Sequence, residues 1–522
     1  MSAPGGGPVE RLRGLSVAMA DGVELVADCW RPAGAGPLPV LLQRLPYGRT
    51  VASAPVLPAP QQLAALGYAV VVQDVRGTGD SGGSFVPFLH EAADGAATIE
   101  WAAAQPFSNG DVVTYGFSYQ GTDQVAAAAL RPAGLRAIAP MMCGASPYDL
   151  VYEDGCLLAD HATRWAAQLA SIGDRQAPRP VEVGTVPLRD ALGRHPPAFF
   201  LDWLADEAAD GPFWAGLRPD LDRVEVPSFV VLGYADTFAK ASARLAAALG
   251  AQVVAGPWAH MPWGSRLGAL ELGPGAGPGV AHDAFLAFIR RVLRPDGTDP
   301  DRRHAPSDGA RIYVGGAGWR DAPTWPPPGH RIVLHGTSRA GANSRHGDGR
   351  LGDEPGGPLG DVLVAEPLVP RPGDGGPYPD VGPAQDRRDV LCYTTPPLGR
   401  PLVVAGSPEV VVELSADAPS LDLVAALVLV EGPVARRLAV GSRRLRTLEP
   451  GSRTEARLEL GPIGWRLPAG SAMRLDLSAS CFPLYGRNPQ SATEPSGDAE
   501  RDHHRVAVVE VAAARLELDA LD

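Results

Sequence analysis

Val112-Val-Thr-Tyr-Gly-Phe-Ser-Tyr-Gln-Gly121 is the stretch on which the reading of this chain turns. Val112–Tyr115 is a short β-branched run of the kind that makes a buried strand, and Thr122–Leu130 beyond it is rich in alanine and reads as a helix. A strand that passes straight into a helix needs a tight turn. Small residues such as Gly116 and Gly121 let that turn crowd against its neighbours. Ser118 then stands at the apex, with its hydroxyl held out above the sheet and a helix N-terminus beneath any oxyanion that forms there. The usual spacing is G-x-S-x-G. Here Gln120 takes the place of the second glycine, and Gly121 follows one position late. Alone, so short a motif equals an ordinary glycine-rich strand-to-helix turn.

Outward from this turn, the chain alternates strands and helices. Leu38–Gln43 and Tyr68–Gln73 are apolar runs ended by Gly/Pro-bearing segments, with helical stretches at Pro60–Leu66 and Asp94–Ala104. That alternation predicts a parallel sheet with helices on both faces. From Leu150 to Asp222 the spacing is helical and tryptophan recurs, which predicts an inserted helical cap. Sheet character returns at Ser228–Leu232 and Ala251–Ala255, and an amphipathic helix over His282–Leu293 closes the unit. Asp296–Asp308 reads as a polar linker. Beyond it Arg311–Val314, Glu409–Leu414 and Met473–Leu477 are strand-like and helices are scarce, as in a β-sandwich. Gly336–Gly382, dense in Gly, Pro and Asp, reads as a long connection ordered by packing. The expected units are residues 1–148 and 225–300 for the two parts of the α/β core, 149–224 for the cap and 301–522 for the all-β part.

A nucleophilic serine needs a base, and the base needs an orienting acid. Asp236 follows the Ser228–Leu232 run in Gly-Tyr-Ala-Asp, and His260 follows Ala251–Ala255 in Gly-Pro-Trp-Ala-His. Both fall at the carboxyl ends of predicted strands, where such sheets build their sites. The chain order is serine, acid, histidine. His90, His161 and His503-His504 read as surface or packing residues, and Asp149, Glu153 and Asp154 as solvated acids. An oxyanion hole needs two donors. The backbone N–H of Tyr119 is one candidate. Tyr47, in Gln43-Arg-Leu-Pro-Tyr47, is either the second or a structural tyrosine.

Composition sets the outer bounds. The chain has 522 residues, is 45% hydrophobic, and is therefore too apolar for disorder. Its net charge of −13 argues against binding nucleic acid or an anionic membrane, because both need clustered Lys and Arg. No apolar run approaches the ~20 residues of a membrane span, and Met1–Gly14 does not read as a signal peptide. Cys29, Cys143, Cys156, Cys392 and Cys481 are scattered, with no CxxC pair, so buried reduced thiols are expected and a zinc site is not. The expectation is a cytoplasmic protein without metal or organic cofactor.

These residues together resemble the cocaine esterase and Xaa-Pro dipeptidyl-peptidase group of α/β-hydrolases, which includes the α-amino acid ester hydrolases. The resemblance covers nearly the whole chain. It runs through Asp21–Leu25, Arg44-Leu-Pro-Tyr47, Gln73–Gly79, Thr98–Trp101, Gln105–Gly110 and Gly116–Gly121. It resumes at Gly233–Asp236 and Gly256–His260, and ends with Asp389–Cys392 and Phe482–Asn488. The late glycine is this group's own pattern, G-x-S-Y-x-G. The resemblance implies an α/β-hydrolase core, an inserted helical cap and a C-terminal all-β jelly-roll. It also implies Tyr47 as the side-chain oxyanion donor, and Trp165 as an aromatic against the acyl group or else a core residue.

Two departures bear on substrate. Tyr234 replaces the group's frequent tryptophan before the acid. Thr237, Phe238 and Ala239 stand where the amino ester hydrolases carry carboxylates for a substrate amine, so Phe238 is expected to line an esterase-like pocket. The expected reaction is ester cleavage on a small molecule through an acyl-enzyme. The alternatives are an amidase or dipeptidyl-peptidase, an acyltransferase, and a non-catalytic binding protein on a hydrolase scaffold. Oligomeric state is open.

Overall fold

The computed structural model describes residues 7–50, 56–173, 180–293, 309–373, 376–491 and 495–521. The linker expected at 296–308 lies outside the described residues. Six strands open the first sheet: β1 (Val9–Ala18), β2 (Glu24–Pro32), β3 (Leu38–Leu45), β4 (Ala69–Asp74), β5 (Ser108–Phe117) and β6 (Leu135–Met141). The apolar runs sit in their interiors: β4 is buried along its whole length, and β5 over its last six residues. Buried on both faces, such strands need helices on either side. The helices are α1 (Pro60–Ala65), α2 (Glu91–Ala103) and α3 (Tyr119–Ala128).

After β6 the chain leaves the sheet. It forms a two-residue hairpin, β7 (Tyr152–Glu153) with β8 (Cys156–Leu157), and then α4 (Ala159–Gly173), α5 (Ala198–Ala205) and α6 (Pro212–Ala215). The helical cap is present, and the hairpin is an addition to what the sequence predicts. Its turn is Asp154-Gly155, both at positive φ (44° and 86°), the pairing a tight hairpin favours. Strands of two residues are too short to leave a periodic signal. A buried aromatic cluster that includes Tyr148, Tyr152, Trp165, Phe200, Trp203 and Trp214 holds the cap together.

The chain returns to the sheet through β9 (Phe229–Gly233), α7 (Ala239–Ala248) and β10 (Gln252–Gly256). After the small hairpin β11 (Arg266–Leu267) and β12 (Leu270–Glu271), α8 (Gly279–Leu293) packs Phe288 on Phe229 with ring centroids 5.4 Å apart. β13 (Ala310–Val314) then pairs parallel with β10, Val253 opposite Ala310, and β14 (Gly318–Ala322) folds back on β13. The strand order is β1-β2-β4-β3-β5-β6-β9-β10-β13-β14. Arg311–Val314, expected in the all-β sandwich, therefore pairs into the first sheet instead. Ala310, Ile312 and Val314 turn to the same buried cluster as Val230, Val253 and Ala255, and that burial decides the pairing.

The strands from His330 to Leu521 make the second, twelve-stranded sheet, folded around a core rich in Leu and Val. Glu409–Ala416 and Ala472–Ser478 fall where strands are expected. Gly336–Gly382 is not one connection, since it contains the strands Arg350–Gly352 and Asp361–Ala365. The two sheets are stitched by backbone at Gly315 N–H to Gly464 O, 2.9 Å. All five cysteines are buried and free.

Candidate active site

Ser118 joins β5 to α3 with φ +62° and ψ −127°, a conformation costly for any residue but glycine. β6 holds it there through Ser118 N–H to Met141 O, 2.9 Å. Its own carbonyl accepts from Gly121 and Thr122, at 2.8 and 3.1 Å. The late glycine has a physical reason. A Cβ on Gly121 would meet Cys143 Sγ at 2.5 Å and Met141 O at 3.2 Å.

Asp236 and His260 lie on the loops that follow β9 and β10. The loops are tied together by Tyr234 N–H to Gly256 O (2.9 Å) and Ala235 N–H to Trp258 O (3.1 Å). His260 Nδ1 stands 2.9 Å from Asp236 Oδ1. The aspartate side chain is sealed from solvent while the imidazole is 24% exposed. An ionised Asp236 accepts the Nδ1 proton, which leaves the Nε2 lone pair free to take another. The His260 ring packs between Phe117, at 5.3 Å, and the edge-on ring of Phe238, at 5.1 Å. Phe117 precedes Ser118, so this packing brings base and hydroxyl to the same corner of the sheet. Among the described residues Ser118 Oγ has no hydrogen-bond partner; such contacts often tighten only when substrate is bound.

The two candidate oxyanion donors are differently built. Tyr119 opens α3, and its N–H donates to no described acceptor, as at any helix start. Its side chain is a pin: the hydroxyl donates to Glu91 Oε1 at 2.8 Å and accepts from Phe88 N–H at 3.1 Å, and Glu91 is paired with Arg44 at 2.8 Å. Tyr47, after β3, accepts from Trp165 Nε1 at 3.1 Å, so its own proton is free to donate. Burial pushes the Tyr47 phenol up to about 12, so that proton is kept at ordinary pH. Trp165 comes from α4 and stacks on His161 and Trp203, each at 5.4 Å.

Beside His260 and Asp236 a cavity of about 410 Å³ opens between the core, the cap and the second sheet. Its walls include His161, Tyr234, Thr237, Tyr378 and Arg437. His161 packs between Trp165 and Phe238, in keeping with a packing histidine, and it also faces this cavity. Its i,i+4 spacing from Trp165 on one helix face was the available signal. Glu153 and Asp154 are not solvated acids. Buried Lys240 lies 3.0 Å from each, and Arg244 pairs with Asp154 at 2.8 Å. Asp149 is enclosed as well, and accepts from Ser146 N–H at 2.9 Å. His90 immediately precedes α2 without a side-chain capping bond, while His503 and His504 lie far along the second sheet's chain.

Residues 21–262 match the model of the X-Pro dipeptidyl-peptidase (S15) family, and 303–515 that of the X-Pro dipeptidyl-peptidase C-terminal non-catalytic domain. A cocaine esterase of Rhodococcus sp. (strain MB1 Bresler) is 31% identical, with 91% of each chain covered. A putative serine esterase of Mycobacterium bovis is 31% identical over 171 residues, 28% of this chain. Among solved structures, an aminopeptidase from a marine sediment Thaumarchaeota archaeon superposes with a TM-score of 0.81 at 23% identity, covering 98% of this chain and 96% of its own. An α-amino acid ester hydrolase superposes with a TM-score of 0.81 at 21% identity, covering 100% and 98%. At those identities the two structures share the fold: an α/β-hydrolase core joined to a β-rich C-terminal domain. Among the described residues no helix is long and apolar enough to cross a membrane.

Proposed function

The chain belongs to the cocaine esterase and X-Pro dipeptidyl-peptidase family of serine hydrolases, and on that premise we propose that it cleaves a carboxylic ester through an acyl-enzyme on Ser118. His260 Nε2 takes the Ser118 proton as Oγ attacks the ester carbonyl. Tyr119 N–H and Tyr47 O–H donate to the oxygen as it becomes negative. Asp236 keeps the imidazole in the required tautomer and stabilises its charged form. The carbon–oxygen bond to the alcohol breaks, and the alcohol leaves with the proton from His260. Water, deprotonated by the same base, attacks the acyl group and returns Ser118.

The observation that carries this reading is the 2.9 Å contact between His260 Nδ1 and a fully enclosed Asp236 carboxylate, across two strand-end loops. Trp165, bonded to Tyr47, and Phe238, edge-on to His260, are the aromatics assigned to the substrate in this reading. The test is Ser118→Ala on 4-nitrophenyl acetate. Turnover should fall to background and a fluorophosphonate should no longer label the protein; a variant near wild type sinks the assignment. Ester rather than amide cleavage is favoured by Thr237, Phe238 and Ala239, which offer no carboxylate to hold a free amine. Phenyl esters should therefore turn over faster than Xaa-Pro anilides.

A further inference from the structure

His161 is the polar group in this site that the reaction above does not use. It lies in the first turn of α4, enclosed by rings: Trp165 stacked at 5.4 Å and Phe238 edge-on at 4.9 Å. Its Nε2 is sealed from solvent with no hydrogen-bond partner, and its Nδ1 forms no hydrogen bond to a described residue. Unpaired nitrogens among rings are unfavourable to folding. Burial pushes the imidazole down to about 3, and nearby His260 adds to that, so the ring is neutral at ordinary pH. A neutral imidazole can donate at one nitrogen and accept at the other.

The ring faces the 410 Å³ cavity, whose wall contains Asp236 and His260 but not Ser118. In acyl transfer the general acid hands its proton to the departing atom, so space on the His260 side belongs to the leaving group. The other polar groups on that wall are mostly spent. Glu153 holds Lys240 at 3.0 Å and accepts from Tyr485 O–H at 2.7 Å, and Tyr378 O–H donates to Pro257 O at 3.0 Å. Asp160 is bonded by Arg164 at 2.8 Å, and Arg437 is engaged within the protein. Besides His161, the Thr237 and Tyr234 hydroxyls on this wall also lack a described partner, but a hydroxyl is a free rotor, whereas the imidazole is fixed by two rings.

We propose that this cavity is the leaving-group subsite and that His161 is its specificity-determining residue, selecting alcohols that carry a neutral hydrogen-bonding group. The proposal rests on the Ser118 hydrolase reading. The enclosed, uncharged ring suits an ether, hydroxyl or amide rather than an ion.

The test compares cyclohexyl acetate with tetrahydropyran-4-yl acetate, which differ by one ring oxygen and share the acyl group. Wild-type enzyme should prefer the oxygen-bearing ester in kcat/KM by about tenfold, the worth of one neutral hydrogen bond in a dry site. His161→Phe should bring the ratio near one, while His161→Gln, which can still donate, should keep most of it. Thr237→Val is the comparison. Equal ratios in wild type and His161→Phe overturn the proposal, as does a preference lost in Thr237→Val instead. A wild-type enzyme that a fluorophosphonate labels at Ser118 but that hydrolyses neither ester overturns it too. Failure of the probe to label Ser118 instead removes the hydrolase reading beneath it.

Discussion

Replacing Tyr47 by Phe removes one oxygen and changes little else, which makes it the sharpest probe of the proposed oxyanion hole. In the resting protein that oxygen accepts one hydrogen bond, from Trp165 Nε1 at 3.1 Å. Losing it leaves an indole N–H unpaired beside a ring that is only 6% exposed, at a cost of roughly 1–3 kcal/mol in stability. In the transition state the same change removes a donor from the developing oxyanion, worth about 2.7–4 kcal/mol, or 10²–10³ in kcat. The ground-state carbonyl gains less from that donor, so KM should stay within about threefold. Trp165→Phe should lower kcat by only about three- to tenfold, because the indole orients the hydroxyl without donating to the oxyanion. In a Tyr47→Phe background it should cost almost nothing, since the group it orients is gone. With burial holding the phenol at about 12, Tyr47 keeps its proton through pH 10. The stability it lends is complete below its ordinary value near 10 and fades as pH rises through 12. Stopped-flow and steady-state hydrolysis of 4-nitrophenyl acetate, with Ser118 occupancy counted by a fluorophosphonate, would measure all of this. A fall in kcat of less than tenfold in Tyr47→Phe, with Ser118 fully labelled, refutes the side-chain donor.

Asp236→Asn should leave the loop in place but favour the wrong tautomer of His260, lowering kcat by about 10⁴ on the same ester. Lys240→Met removes the cation shared by Glu153 and Asp154 and should destabilise by about 3–5 kcal/mol, read as a lower unfolding temperature in scanning calorimetry. Against the upward pull of burial, Lys240 and Arg244 hold Asp154 below the usual carboxylate range. That contribution is present above pH about 3.8 and is lost as pH falls further, so the variant's deficit should shrink in acid. Gly121→Ala drives a methyl into Cys143 Sγ at 2.5 Å and should cost about 1–3 kcal/mol and most esterase activity. Adding Cys143→Ala removes the sulfur and should restore part of both.

The proposed triad was legible because its three residues sit at ends of strands whose apolar runs announce themselves, and because chain order limits the choices. Ser118, Asp236 and His260 each follow such a run within a few residues. Sheet membership was not legible for β13, whose sequence Ala-Arg-Ile-Tyr-Val314 alternates as well for a sandwich as for the core. Its place is fixed by Val253 opposite Ala310, a pairing across 57 positions that no local pattern encodes. The ion knot failed to show for the same reason. Glu153 and Asp154 look solvated until α7 brings Lys240 against them.

The cavity beside His260 takes this furthest. One wall is made by the acid loop at Tyr234–Lys240 and the base loop at Ala259–Met261, another by Glu153 and the start of α4 at Leu158–His161, and a third by Tyr378, Arg437–Val440 and Pro483–Tyr485 from the second sheet's part of the chain. The proposed chemistry and the proposed selection thus depend on different sets of contacts. The proposed chemistry needs strand-end loops within one sheet, which a sequence pattern can locate. Selection needs side chains from three units, brought together by burial of the Lys240 knot and the cap's aromatic cluster. Lys240 also donates to Glu459 O of the second sheet at 3.1 Å, so Lys240→Met should loosen that contact and disturb the discrimination between leaving groups before it disturbs labelling of Ser118. Measuring both on one preparation at rising temperature separates the two. Loss of labelling ahead of loss of discrimination would mean that the cavity is not assembled by that interface.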